Sequence, residues 1–178
     1  WDQVRAFVDA GWEIGAHGRR HIRLPELDSL KMEEEILGPI VDIESKLGVK
    51  PVSFSSPFGD FTDGTIERIM EHYDNHLSWK GHGGRNPIDD IDPRYIGRLE
   101  VINTMTSAEV CGEMVNAALH DKWLVLLFHG LVHDEPGEYE VHVRLYEDIL
   151  ACASLLDRKG VVDVMTVQDA MAEISRRN

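Results

Sequence analysis

His17 and His21 are the two side chains whose type and spacing most directly suggest chemistry in this 178-residue chain. They stand in the run Glu13-Ile14-Gly15-Ala16-His17-Gly18-Arg19-Arg20-His21. Side chains four apart face one point when the segment between them turns. Neutral imidazole is the commonest ligand for zinc and related divalent ions, so the pair offers two nitrogen donors. The opposing reading is two solvated loop histidines among the nine that the chain contains. His129 is the third candidate. It follows the apolar run Trp123-Leu124-Val125-Leu126-Leu127-Phe128, where an imidazole either moves protons near neutrality or is satisfied by backbone groups at a strand end.

The elements that would position these rings read as an alternation of helices and strands. Val4, Phe7 and Val8, followed by Gly11, read as the end of an amphipathic helix, and 12–16 read as a short apolar strand. Residues 29–47 have apolar side chains at helical spacing, with Glu33, Glu34 and Glu35 in early turns where the helix dipole favours acids. Gly48 stops this helix, and Pro39 should kink or split it. A strand at 51–55 is broken by Ser56-Pro57-Phe58-Gly59; a helix over 63–72 and a strand at 76–79 follow. Residues 81–94 are rich in Gly, Pro and Asp and read as a surface loop. A strand at 96–102 precedes a helix from Ser107 to about His120.

The run 123–128 lacks polar alternation, which implies a strand buried on both faces. An acidic loop at 134–140 leads to a helix over 141–158 with Leu145, Ile149, Leu150, Leu155 and Leu156 inward, stopped by Gly160. A last strand at 161–165 and a helix capped by Thr166 close the chain. This order implies an α/β fold with parallel strands, in which ligands gather at the C-terminal strand ends. His17, the 55–59 turn and His129 all fall at such ends.

Composition removes several classes of function. The formal net charge of -14 opposes nucleic-acid binding, which demands a basic surface. No apolar run is long enough to span a bilayer. The length suits a single domain, 1–178. Cys111 and Cys152 lie far apart in helical patterns and read as small hydrophobes rather than a disulfide, so they say nothing of compartment.

With these residues in view, the chain resembles the polysaccharide deacetylases, carbohydrate esterase family four. Gly11-Trp12-Glu13-Ile14-Gly15-Ala16-His17 is similar to the approach to the family's metal-binding His-x-x-x-His. Ser55-Ser56-Pro57-Phe58-Gly59 is similar to its Arg-x-Pro-Tyr-Gly turn, Leu127-Phe128-His129-Gly130 to its late Leu-x-His motif, and residues 162–170 to its closing strand and helix. The resemblance implies a distorted (β/α) barrel. It also implies a metal-dependent hydrolase that removes acetyl groups from an N- or O-acetylated polysaccharide or related sugar. His17 and His21 would hold a divalent metal, zinc foremost, with cobalt, nickel and iron open. His129 would be the general acid. Leu127 would line the slot for the acetyl methyl, and Pro57, Phe58 and Gly59 would shape one wall of the groove.

The departures are equally specific. The family's opening Thr-Phe-Asp-Asp-Gly strand, with its catalytic base and carboxylate metal ligand, has no counterpart here; Asp2 and Asp9 fall in a helical pattern. The expectation is therefore a barrel lacking its first strand or strands, N-terminally incomplete and catalytically crippled as it stands. Gly18 stands where the family has Ser or Thr, Ser55 where it often has Arg, and Arg98 or Trp79 is left to serve the wall of an unclear fourth motif. Two other readings stay open: an amidohydrolase of the same fold acting on a small amide, and a non-catalytic carbohydrate-binding relative.

Overall fold

The computed structural model describes residues 1–79 and 82–177, and their contacts divide the chain into two compact units. The first comprises 1–78, 92–96 and the segment from Thr166 onward; the second comprises 79–91 and 97–165.

The first unit is organised by one long helix. Helix α1 is Asp2–Asp9 and α2 is Ser29–Leu47. Asp28 caps α2 by accepting from the Lys31 N–H at 3.0 Å, and Gly48 ends it in the left-handed region that glycine reaches without strain. Pro39 lies inside α2 without dividing it. The buried stripe of α2 includes Ile36, Ile43 and Leu47. Ile36 packs with Ala16, Leu24, Phe54, Ile69 and Tyr73. Tyr73 donates its hydroxyl to the Ile36 carbonyl at 2.7 Å, and burial pushes the phenol's pKa up. Strand β1, Ser53–Ser55, runs parallel to β2, Asn75–Ser78, with helix α3, Asp63–Met70, between them. This is the parallel α/β crossover that the alternation implies.

The segment 12–16 differs from the expected strand. Within it, Ala16 alone pairs with β1: its N–H donates to Ser53 O at 2.8 Å, and its carbonyl accepts from the Ser55 N–H at 2.9 Å. Ahead of it the chain is tied by a side chain instead. The Glu13 carboxylate accepts from Ser53 Oγ at 2.5 Å and from the Gln168 N–H at 2.8 Å, at the start of the final helix.

In the second unit β3 is Arg85–Pro87, so the reading of 81–94 as plain loop is corrected for its described part; Gly81 lies outside the described residues. The single strand expected at 96–102 is two, β4 Ile96–Gly97 and β5 Leu99–Glu100, interrupted at Arg98. Helix α4, Ser107–Leu119, is capped by Thr106 rather than Ser107, through a reciprocal box with Glu109. The run 123–128 is likewise divided. β6, Lys122–Leu124, pairs antiparallel with β3, and β7, Leu126–Leu127, pairs parallel with β5. Val125 between them donates to Gly84 O and accepts from the Leu99 N–H. The run is half-buried, not buried on both faces.

β8, Gly130–Val132, runs parallel to β9, Glu140–His142, which feeds α5, Val143–Arg158. Ile149 of α5 is buried with Val101, Val110, Met114 and Val141, whereas Leu150 and Leu155 are exposed. The expected strand at 161–165 does not form. The Val164 N–H turns back to Asp157 Oδ1 of α5 at 3.2 Å, and Val161, Val164 and Met165 stay exposed. In the first unit, Thr166 caps α6, Val167–Arg177, as its position implies.

The cysteine reading is overturned. Cys111 of α4 and Cys152 of α5 form a disulfide, with Cα atoms 6.1 Å apart. Their distance in sequence hides that the two helices pack side by side.

Candidate active site

His17 follows directly on the Ala16 bridge, and its ring is fixed from one side. Nδ1–H donates to the Ser55 carbonyl at 2.7 Å, which leaves the lone pair on Nε2, the nitrogen a metal would take. His21 meets His17 with ring centroids 4.8 Å apart, so residues four apart do converge. The convergence is produced by left-handed backbone at Gly18, φ 72°, and at His21, φ 57°. Both imidazoles are exposed. Two imidazole nitrogens suit a divalent ion of the zinc type. No group of three potential ligands occurs among the described residues, so the pair supplies only part of a tetrahedral donor set.

The 57–59 turn stands beside them. Phe58, at φ 59° and largely exposed, lies 4.5 Å from the His21 ring, and the Arg23 guanidinium covers the phenyl at 4.5 Å. Arg23 in turn pairs with Asp60 at 3.0 Å. Pro57 is buried, and Gly59 also takes positive φ, 62°. Ser56 is held by the buried His76, whose Nδ1–H donates to the Arg94 carbonyl at 2.8 Å while Nε2 accepts from Ser56 Oγ at 2.9 Å.

The acids of α2 have a different role from the one their helix position suggests. None lies in the first turn. Glu35 is wholly buried, and its carboxylate accepts from the Arg19 N–H (2.9 Å), the Arg20 N–H (2.8 Å) and Arg20 Nε (2.6 Å). Burial raises the pKa of this carboxyl, but the Arg20 side chain and the two amides outweigh it and hold it below the ordinary carboxylate value. Two turns on, Asp42 receives Arg19 Nε at 2.9 Å and Nη2 at 3.2 Å. Glycine at 38 leaves room for the Arg19 stem, since a Cβ there would meet Arg19 Cδ at 2.5 Å. One face of α2 thus clamps the segment between the two histidines.

In the second unit, His129 follows β7. Its Nε2–H donates to Glu100 Oε1 at 2.7 Å, a side-chain partner in place of the backbone groups considered above. Glu100 pairs in register with Leu127, the last residue of β7 and two before His129. Tyr139 borders the imidazole at 5.8 Å. Leu127 is half-buried. Arg98 is also half-buried; desolvation lowers its pKa while Glu100 opposes that. Trp79 is largely exposed.

Sequence reasoning missed Glu35 and Glu100. Glu35 was detectable: it stands three residues after Met32 and eight before Ile43, on the stripe where helical spacing calls for an apolar side chain. Glu100 gave no comparable signal, because its partner is set by the β5–β7 register.

Comparison with known proteins bears on family and fold. Residues 1–73 match the family model for polysaccharide deacetylase. A curated peptidoglycan deacetylase of Helicobacter pylori is 35% identical over 80 residues, 43% of this chain; the match spans only 27% of that relative's length. Among solved structures, the peptidoglycan deacetylase PdaC of Bacillus subtilis aligns over 99% of this chain and 71% of its own. Its TM-score is 0.57 and its identity 14%. The Xyl-CE4 domain of a multidomain xylanase, from the hindgut metagenome of Trinervitermes trinervoides, aligns over 97% of this chain and 69% of its own. Its TM-score is also 0.57, at 16% identity. The match to the polysaccharide deacetylase model is confined to residues 1–73, and the solved structures share the α/β fold of this chain. No helix among the described residues is long and apolar enough to cross a membrane.

Proposed function

We propose that this chain belongs to a divalent-metal-dependent hydrolase that removes acetyl groups from an N- or O-acetylated polysaccharide. The observation that carries this reading is the His17–His21 ring pair, with Nδ1 of His17 committed to the Ser55 carbonyl. A bound zinc ion would activate water and polarise the acetyl carbonyl. The residues of the chain do the rest. His17 and His21 hold the ion, and Pro57, Phe58 and Gly59 form a wall against which a sugar ring can lie. For the second unit the proposal is separate: Leu127 would line a slot for an acetyl methyl, and His129 would act as a general acid, with Glu100 fixing its tautomer. Peptidoglycan glycan strands are the first substrate to try, because a peptidoglycan deacetylase is the curated relative matched.

No third potential ligand is grouped with the pair among the described residues. Titration with Zn2+ and acetate release from acetylated chitooligosaccharides and peptidoglycan test the reading. Zinc should bind one to one, and His17→Ala and His21→Ala should each abolish binding. Zinc uptake indifferent to both substitutions overturns the assignment.

A further inference from the structure

We propose that Glu35 is a positioning residue for the His17–His21 pair, acting through the two amides that separate them. The inference rests on the metal-site reading above and extends it to the helix behind the site. A carboxylate wholly removed from water survives only where its partners compensate the lost hydration. Glu35 has such partners, and they are informative: two of its three donors are the consecutive N–H groups of Arg19 and Arg20, both directed at Oε2. These are backbone groups of the segment that must turn for the rings to meet. The third donor, Arg20 Nε, takes the other oxygen.

The turn itself is costly without such a brace. His21 has a positive φ, which a side-chain-bearing residue holds only when its surroundings over-determine it. Gly18 carries the other left-handed step. A Cβ there would sit 3.1 Å from Pro57 Cγ and 3.2 Å from Glu35 Oε2, so the carboxylate occupies the space a side chain would need. Glu35 therefore selects the bend, and the bend sets the 4.8 Å ring separation. An apolar residue at 35 would satisfy the helix stripe but not these amides. A purely structural tie between the segment and α2 is already available from Arg19 and Asp42.

Glu35→Gln in the full chain tests the role, because the side chain keeps its size but must turn an NH2 toward existing donors. Zn2+ affinity should fall about 10- to 100-fold, the range found when a partner behind a metal ligand is removed. The Co2+ absorption spectrum should change with it. In the metal-free protein, ring-to-ring nuclear Overhauser contacts between His17 and His21 should weaken, and the Arg19 and Arg20 amide protons should move upfield. Glu34→Gln, which removes an exposed carboxylate paired with the Arg19 and Arg20 side chains, should leave all four readouts unchanged. Wild-type zinc affinity together with intact ring contacts in Glu35→Gln overturns the proposal.

Should Glu35→Gln fail to fold, hydrogen exchange in the wild type decides. Zn2+ should slow exchange at the Arg19 and Arg20 amides relative to the Lys31 amide at the α2 cap, by the reciprocity of linked equilibria. Equal exchange at all three with zinc bound overturns it. If the wild type takes up no zinc through His17 and His21, the metal reading fails while the ring contacts still decide the brace.

Discussion

Glu100 of β5 and His129, two residues past the end of the parallel β7, hold each other, imidazole Nε2–H to carboxylate at 2.7 Å, with both side chains a little under half exposed. The bond places the proton of the neutral ring on Nε2 and leaves Nδ1 as its acceptor. Glu100→Ala should shift the His129 tautomer away from this form, as read by 15N chemical shifts of the ring. Stability should change by less than about 1 kcal/mol, since an exposed pair is screened by water. On the proposed reading, acetate release should fall at least about tenfold, because an imidazole without its orienting carboxylate samples unproductive tautomers and poses. An unchanged tautomer ratio would remove Glu100 from the site.

The Cys111–Cys152 disulfide joins α4 to α5 across a separation of 41 residues. Closing a loop of that size restricts the unfolded chain by about 4 kcal/mol in the chain-entropy account. Cys152→Ser, or reduction of the native protein, should therefore lower the stability of the second unit by about 2–4 kcal/mol. Urea denaturation with and without reductant, followed by a probe on Trp123, measures this. Identical midpoints would mean that the helices carry their own packing.

Gly84 and Gly112 should respond in opposite directions to the same substitution. At Gly84, φ is 79° and a Cβ would stand 2.2 Å from the Leu99 backbone nitrogen, so Gly84→Ala must displace β5. Gly112 lies in α4, where an added Cβ would enter open space, and alanine there gains helix propensity of about 1 kcal/mol. Thermal melts should fall for Gly84→Ala and rise for Gly112→Ala. Because Glu100 sits on β5, the first variant should also disturb the His129 tautomer.

What the sequence made legible was governed by local rules. The bounds of α2 follow from Asp28 and Gly48, and the helix signals at 63–72 and 166 follow from caps and spacing. The His17–His21 convergence was foreseeable from a spacing of four. Elements that depend on a partner were not. Residues 12–16 and 161–165 have strand composition, yet the first is fastened through Glu13 and the second folds back on Asp157. The disulfide, the Glu100–His129 bond and the division of 123–128 arise from register and helix packing, which periodicity does not encode. Glu35 is intermediate: its place on an apolar stripe marks it as unusual, but its partners are backbone amides that no residue letter reveals.

The buried Glu35 carboxyl also makes an acid-sensitive prediction. Its native pKa lies below the ordinary value of 4.5 because Arg20 and the two amides together outweigh the desolvation that raises it. A group whose pKa is depressed on folding contributes stability above its unfolded value and loses it as pH falls through the native one. The loss therefore begins as pH drops through about 4.5 and is complete only below the native value. Glu35→Gln removes that titration, so its stability should depend less steeply on pH across this window than the wild type's. Arg19, Arg20, Glu34 and Asp42 surround the site, and the other carboxylates titrate in both proteins, so the difference between the two curves isolates Glu35. Urea midpoints measured from pH 6 down to pH 3 supply it; parallel curves would show that folding leaves the pKa of this carboxyl unchanged.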